Sequence, residues 1–202
     1  MRVVPSIKAL EQVLLYGVDM KCGARVTGVD ERKVIDGVSY DAVIIATEAC
    51  AVPKVLRNGP KVFSKIKYHP STIYLHKDES FMPPNKKDWR CWNVELKSGS
   101  DEPQLTFWLN EFYPDSKFST NVFQTWAPLR TPKSELIVKK YDFQRVVHTS
   151  ATREMVSEIE SEQGKGRIYY AGSYCVYGMG LLEQALISGR KTAEDVLEEL
   201  FG

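Results

Sequence analysis

The residues of this chain whose types and spacing could do chemistry stand close together near its carboxyl end. Within the stretch RIYYAGSYCVYGMGLLEQALISGRKTAEDVLEEL, residues 167–200, Ile168, Tyr169, Tyr170 and Ala171 form an apolar run that stops at Gly172, which predicts a short buried strand. Leu182, Ala185, Leu186, Thr192, Ala193, Val196, Leu197 and Leu200 then recur at three- and four-residue steps, predicting a long amphipathic helix. Gly178 and Gly180 stand at its entrance. A helix start with no side chains in the way offers unpaired backbone N–H groups and about half a positive charge, so it can receive a phosphate or a polarised carbonyl. The same spacing also fits a strand and helix packed in an α/β core, with the glycines serving as turns.

Other candidate chemistries are weaker. His76 and Asp78 share a face if they lie on a strand, but the three histidines, His69, His76 and His148, are not in ligand spacing, so we expect no metal. No Gly-x-Ser-x-Gly, H-E-x-x-H or P-loop pattern is present, and no recognisable base accompanies Ser173. No catalytic side chain is assigned. The four cysteines are scattered without a C-x-x-C pair, pointing to a reducing, cytoplasmic home rather than a disulfide framework. With 202 residues, 43% hydrophobic, 26% charged and a net charge of +1, the chain has the composition of a globular protein with a sizeable core. It carries no electrostatic signature of a nucleic-acid partner and no apolar run long enough to span a membrane.

The elements that would position the glycines follow in chain order. Pro5 and Ser6 begin a helix carrying Ile7, Leu10, Val13 and Leu14 on one face and ending at Gly17. Strands are expected at 18–22, at 25–30 and around Val34 and Ile35, the last turning through Asp36-Gly37 into Val38–Ser39. The β-branched run of 41–47 predicts a buried parallel strand ending at Ala46 and Thr47. A boundary is expected at 57–60. Beyond it the segments 71–76, 89–95, 104–110, 121–127 and 135–141 read as an antiparallel sheet, with 143–148 leading back. Residues 150–164 form a short surface helix. The division is therefore 1–60, 61–149 and 150–202, the outer two segments rebuilding one α/β domain around the inserted sheet.

The segment GLLEQALISGRKTAEDV resembles the carboxyl-terminal FAD-binding segment of the flavin-containing amine oxidase superfamily, which includes phytoene-desaturase-like enzymes. Gly172, Gly180, Glu183, Ala185, Ser188, Gly189 and Ala193 match its pattern. Ser173 stands where that family often has an acidic residue. The strand ending Ala46-Thr47 is similar to the Ala-Thr-Gly or Ala-Thr-Pro strand of two-dinucleotide-binding flavoproteins, with Glu48 as the departure. HKDESFMPPNKKDWRCWNVE resembles the middle of bacterial-type FAD-dependent oxidoreductases through its His-x-Asp, Met-Pro and Trp-x-x-Trp-Asn.

The resemblance implies a partial FAD/NAD(P)-binding, Rossmann-like fold with an inserted antiparallel substrate domain, an overall α+β or α/β class. It implies FAD as cofactor, held by Ala46, Thr47, Gly172, Ser173, Gly180, Leu181, Leu182, Glu183 and Ala185, with the backbone near Leu181 and Leu182 facing the flavin's pyrimidine edge. Trp92 and Trp108 become candidates for the substrate side, and the substrate a small molecule. The first G-x-G-x-x-G unit of such a fold is absent from these 202 residues. By the resemblance, FAD binding requires that unit, present upstream or as a separate chain. Two functions follow: the carboxyl-terminal portion of an FAD-dependent oxidoreductase, with hydride passing from a C–N or C–C bond to the flavin, or a non-catalytic remnant or interaction module that keeps the fold without binding FAD alone.

Overall fold

The two ends of the chain meet in one parallel strand pair. In the computed structural model, which describes residues 6–30, 33–99 and 103–202, helix α1 (Ile7–Leu14) starts at Ser6, whose hydroxyl accepts the Ala9 N–H at 3.2 Å. The expected Pro5 lies outside the described residues. Strands β1 (Val34–Ile35) and β2 (Val38–Ser39) form a hairpin through Asp36 and Gly37, whose φ values of 49° and 82° suit a type I′ turn. The strands expected at 18–22 and 25–30 do not form. Only a parallel bridge of Val29 with Leu56 remains. Residues 18–27 are exposed with no strand beside them, and β structure needs a partner for its backbone groups.

Strand β3 (Val43–Ile45) is followed by two single-turn helices, α2 (Val52–Val55) and α3 (Val62–Lys65). A sheet follows, made of β4 (Tyr68–His76), β5 (Trp92–Glu95), β6 (Gln104–Trp108), β7 (Phe123–Trp126) and β8 (Ile137–Val146), with the helical turn α4 (Leu109–Phe112) between β6 and β7. Helix α5 (Thr152–Glu160), strand β9 (Ile168–Tyr170) and helix α6 (Leu182–Phe201) complete the chain. β3 and β9 pair in parallel, Val43 opposite Ile168 and Ile45 opposite Tyr170. Val43, Ile45, Val52, Val62, Phe63, Ile66, Ile159, Ile168 and Tyr170 form one buried core. Phe63 and Tyr170 meet at 4.5 Å between ring centroids.

This core moves the expected boundary. Val62 and Phe63 are fully buried within it, so the inserted unit starts at Tyr68 rather than at 61. Nor is α5 only a surface helix, since Ile159 is fully buried in the same core.

The inserted sheet has the order β5-β6-β7-β4-β8, all neighbours antiparallel. Its strands differ in extent from the pattern reading. The segments expected at 135–141 and 143–148 are one continuous strand, β8, paired along most of β4. The strand expected over 104–110 stops at Trp108, where α4 begins. That expected over 89–95 starts at Trp92, because Trp89 turns into the interior and donates its indole N–H to the Pro83 carbonyl at 2.8 Å. One face of the sheet carries Trp92, Phe107, Trp126 and Phe143 in a row of edge-to-face contacts at 5.2, 5.8 and 5.8 Å. The other buries His76, Gln104, Thr106, Phe123 and Thr125 beneath Phe81, Met82 and Trp89.

Candidate functional site

The carboxyl ends of β3 and β9 lie together against α6, and named hydrogen bonds hold them. Ala171 N–H donates to the Ile45 carbonyl at 3.1 Å, extending the strand pairing to the point where Ala46 and Thr47 leave β3. On α6, Ser188 Oγ accepts the Gly172 N–H at 3.1 Å, and Thr192 donates to the Tyr170 carbonyl, also at 3.1 Å. Both hydroxyls are buried on the helix face that meets β9. They do two things at once: they satisfy backbone groups at the strand end, and they draw α6 against it. Their i, i+4 spacing was visible in the sequence, but their role was not, because nothing local marks a hydroxyl that bonds another element.

At the entrance of α6, Leu181 and Leu182 are 47% and 51% exposed, and Glu183 is also exposed. Ala185 is half-buried one turn on. The Leu181 N–H is occupied by Gln184, whose side-chain oxygen accepts it at 2.8 Å. Gln184 thus makes the return half of a capping box. The apolar Leu181 has no acceptor with which to make the other half, so the N–H groups of the next residues are the ones offered outward. Glutamine three places after a helix start is a readable signal that the sequence reading passed over.

Gly180 has φ of +69°, a left-handed conformation that favours glycine. A methyl there would lie 2.9 Å from Val146 Cγ1 and 3.1 Å from His148 Nε2. The missing side chain therefore makes room for the end of β8, and the glycine sets the loop path. Ser173 Oγ lies beside the same point. Both ring nitrogens of His148 are buried without a hydrogen-bond partner, next to a cavity of about 10 Å³ lined also by Thr152 and Tyr174. An orphaned imidazole at this loop has a desolvation cost that no described group offsets.

Other residues fix what the site is not. Cys175 is buried, and burial pushes its thiol up to about 11, leaving no thiolate for nucleophilic chemistry. Glu48, just past the end of β3, accepts a hydrogen bond from Gln144 of β8 at 3.1 Å, tying the loop after β3 to the inserted sheet. No cluster of metal-ligating side chains occurs among the described residues, and no described helix is long and apolar enough to cross a membrane. A cleft of about 850 Å³ lies where β9 begins, between residues 27–30, 56–60 and 165–168. Ligands of parallel sheets bind at the opposite, carboxyl ends.

Trp92 and Trp108 do not share a wall. Trp92 pairs with Phe107 across β5 and β6, so Trp108 faces the other side of the sheet. Trp92 is 60% exposed. Trp108 packs edge-on against Trp89 at 5.3 Å and donates to Asn121 Oδ1 at 3.2 Å.

Neither a protein-family model nor a curated protein matches the chain. Among solved structures it is similar to reduced UDP-galactopyranose mutase, with a TM-score of 0.62 at 14% identity over 91% of this chain and 49% of that one. It is also similar to a CLA-producing fatty acid isomerase from P. acnes, with a TM-score of 0.50 at 11% identity over 88% of this chain and 47% of that one. The chain spans about half the length of each. At such identities the likeness is one of fold: a mixed α/β architecture with an antiparallel sheet.

Proposed function

We propose that this chain is the carboxyl-terminal portion of an FAD-dependent, amine-oxidase-like oxidoreductase that oxidises a C–N or C–C bond of a small molecule. One observation carries the reading: the end of the parallel strand pair lies against α6, and Gly180 at the helix entrance stands beside Ser173, just past the end of β9, an arrangement of the kind that receives a dinucleotide. The residues present fit one end of FAD. The N–H groups of the first turn of α6 have no acceptor within the helix, Leu181 and Leu182 beside them are exposed, Ser173 offers a hydroxyl, and Ala46 and Thr47 are exposed at the end of β3. When bound, the flavin would accept hydride from the substrate carbon. The chain's own part is to orient the ring and to hold first-turn dipoles toward its pyrimidine edge, where negative charge develops on reduction. Trp92, on the open face of the sheet, is the candidate for the substrate side, and aromatic walls suit planar or apolar substrates. A redox role accords with the solved neighbour, the mutase described as reduced.

Leu181→Asp tests the site in the flavin-containing protein. Aspartate is a preferred N-cap, so it should keep or raise the thermal midpoint, while its carboxylate takes up the first-turn N–H groups and repels an anionic flavin edge. We expect FAD affinity to fall by roughly tenfold or more and the flavin potential to drop, with Glu183→Gln changing both only slightly. If Leu181→Asp binds and reduces FAD like the parent, the segment is a structural strand-turn-helix.

A further inference from the structure

His148 breaks the rule that buried polar groups are hydrogen-bonded, and nothing packed around it explains the exception. Neither ring nitrogen is accessible and neither has a partner, although an imidazole always carries at least one N–H to satisfy. The backbone that places it is well tied: β8 pairs with β4 up to Val146 opposite Tyr68, and the Val147 N–H donates to the Lys67 carbonyl at 2.8 Å. The gap beside the ring, about 10 Å³, is lined mainly by apolar side chains, among them Ile66, Val146 and Met155. Leucine would suit that pocket better than histidine, because it leaves no polar atom desolvated.

Nε2 is covered by residues 176–180, between the turn after β9 and the start of α6. A β-carbon at Gly180 would lie 3.1 Å from Nε2, with Ser173 Oγ 3.9 Å from the same point. The polarity of this cover is inverted. Tyr177, Met179 and Leu181 turn outward, 55%, 73% and 47% exposed, while the histidine lies inside without a partner. The backbone of 176–180 makes no hydrogen bond with other described residues. The segment rests on the Tyr177 ring against the Arg153 guanidinium, 4.6 Å apart, and on the seat of Gly180 beside Val146 and His148. A segment with so few polar ties belongs to the low-stability end of a fold and lifts without disturbing the core.

We infer, on the cofactor reading above, that His148 is a binding residue for the flavin: when residues 176–180 lift, Nε2 hydrogen-bonds the polar edge of the isoalloxazine. This supplies a side-chain contact where that reading has backbone N–H groups and the Ser173 hydroxyl. A local rule broken at a cost in stability marks the places where a chain keeps function. The same exchange answers the second oddity, since a planar ring beside the lifted segment gives Tyr177 and Met179 an apolar partner.

The test uses the flavin-containing protein and the same protein freed of flavin. Diethyl pyrocarbonate acylates accessible imidazole nitrogens, and exposed His69 and fully buried His76 serve as internal standards for fast and absent reaction. In the flavin-free protein His148 should react at a rate between theirs, as residues 176–180 lift, and added FAD should suppress that reaction about tenfold or more without changing His69. Two variants then separate contact from cover. For His148→Leu the FAD dissociation constant should rise roughly tenfold, while the thermal midpoint of the flavin-free protein holds or rises. His148→Gln, which keeps an N–H donor, should recover most of the affinity. A His148 as inert as His76, labelling unaffected by FAD, or His148→Leu binding FAD like the parent overturns the inference. So does a lowered midpoint with unchanged affinity, the mark of a structural histidine. A parent that takes up no FAD removes the cofactor reading and this inference together, whereas the other contrary results leave that reading standing.

Discussion

His76 has no contact with solvent and is held at both ring nitrogens, Nδ1 accepting the Asp78 N–H at 3.2 Å and Nε2 meeting Thr125 Oγ1 at 2.8 Å. Burial pushes its pKa down to about 4, partly offset by the Asp78 carboxylate and reinforced by Arg130. The unfolded chain takes up a proton near the ordinary value of about 6.5 that the folded chain refuses, so this contribution to stability is whole above pH 6.5 and is lost as pH falls toward 4. We expect a loss of up to about 3 kcal/mol across that window, and His76→Gln, which keeps polar partners without titrating, should flatten the pH dependence of the urea midpoint. Equal slopes in the two proteins would contradict this. The two tryptophans separate by the same kind of measurement. Trp108→Ala should cost about 3 kcal/mol or more, because it empties a packed cluster. Trp92→Ala should cost less than about 1 kcal/mol and instead raise the KM of the flavin-containing protein. That Trp108 and Trp92 lie on opposite faces depends on the register between β5 and β6, which no local pattern in the sequence carries.

At the scale of elements, α6 was the most legible, because a 20-residue helix repeats its apolar period often enough to be read, and its start carries two glycines. The hairpin at Asp36-Gly37 was equally plain, since its turn chemistry is local. What failed were segments whose state is decided by a distant partner. Residues 18–22 have strand composition but no paired edge among the described residues, residues 25–30 pair only at Val29, and the continuity of β8 comes from its long register with β4. The Gln184 cap is local and testable. Removing its bond to Leu181 N–H in Gln184→Ala should lower stability by about 1 kcal/mol, read as a drop in thermal midpoint, whereas Glu183→Gln should leave it nearly unchanged. If the two variants melt alike, Gln184 does not hold the helix entrance.

For the whole molecule, the sequence carried the class of the fold and the return of the carboxyl end onto the strand at 43–45, but not the contacts that weld the two units: Glu48 with Gln144, and Gly180 with Val146 and His148. Those join residues far apart in the chain, and each answers a local oddity: a glutamate where a turn residue was expected, a glycine with positive φ, a histidine without partners. The account therefore stands or falls on flavin content. For protein purified from its native cell through a tag after Gly202, it predicts about one FAD per chain, released on denaturation, and none for the 202-residue chain alone. Native protein that is fully folded and colourless, and takes up no added FAD, would contradict it.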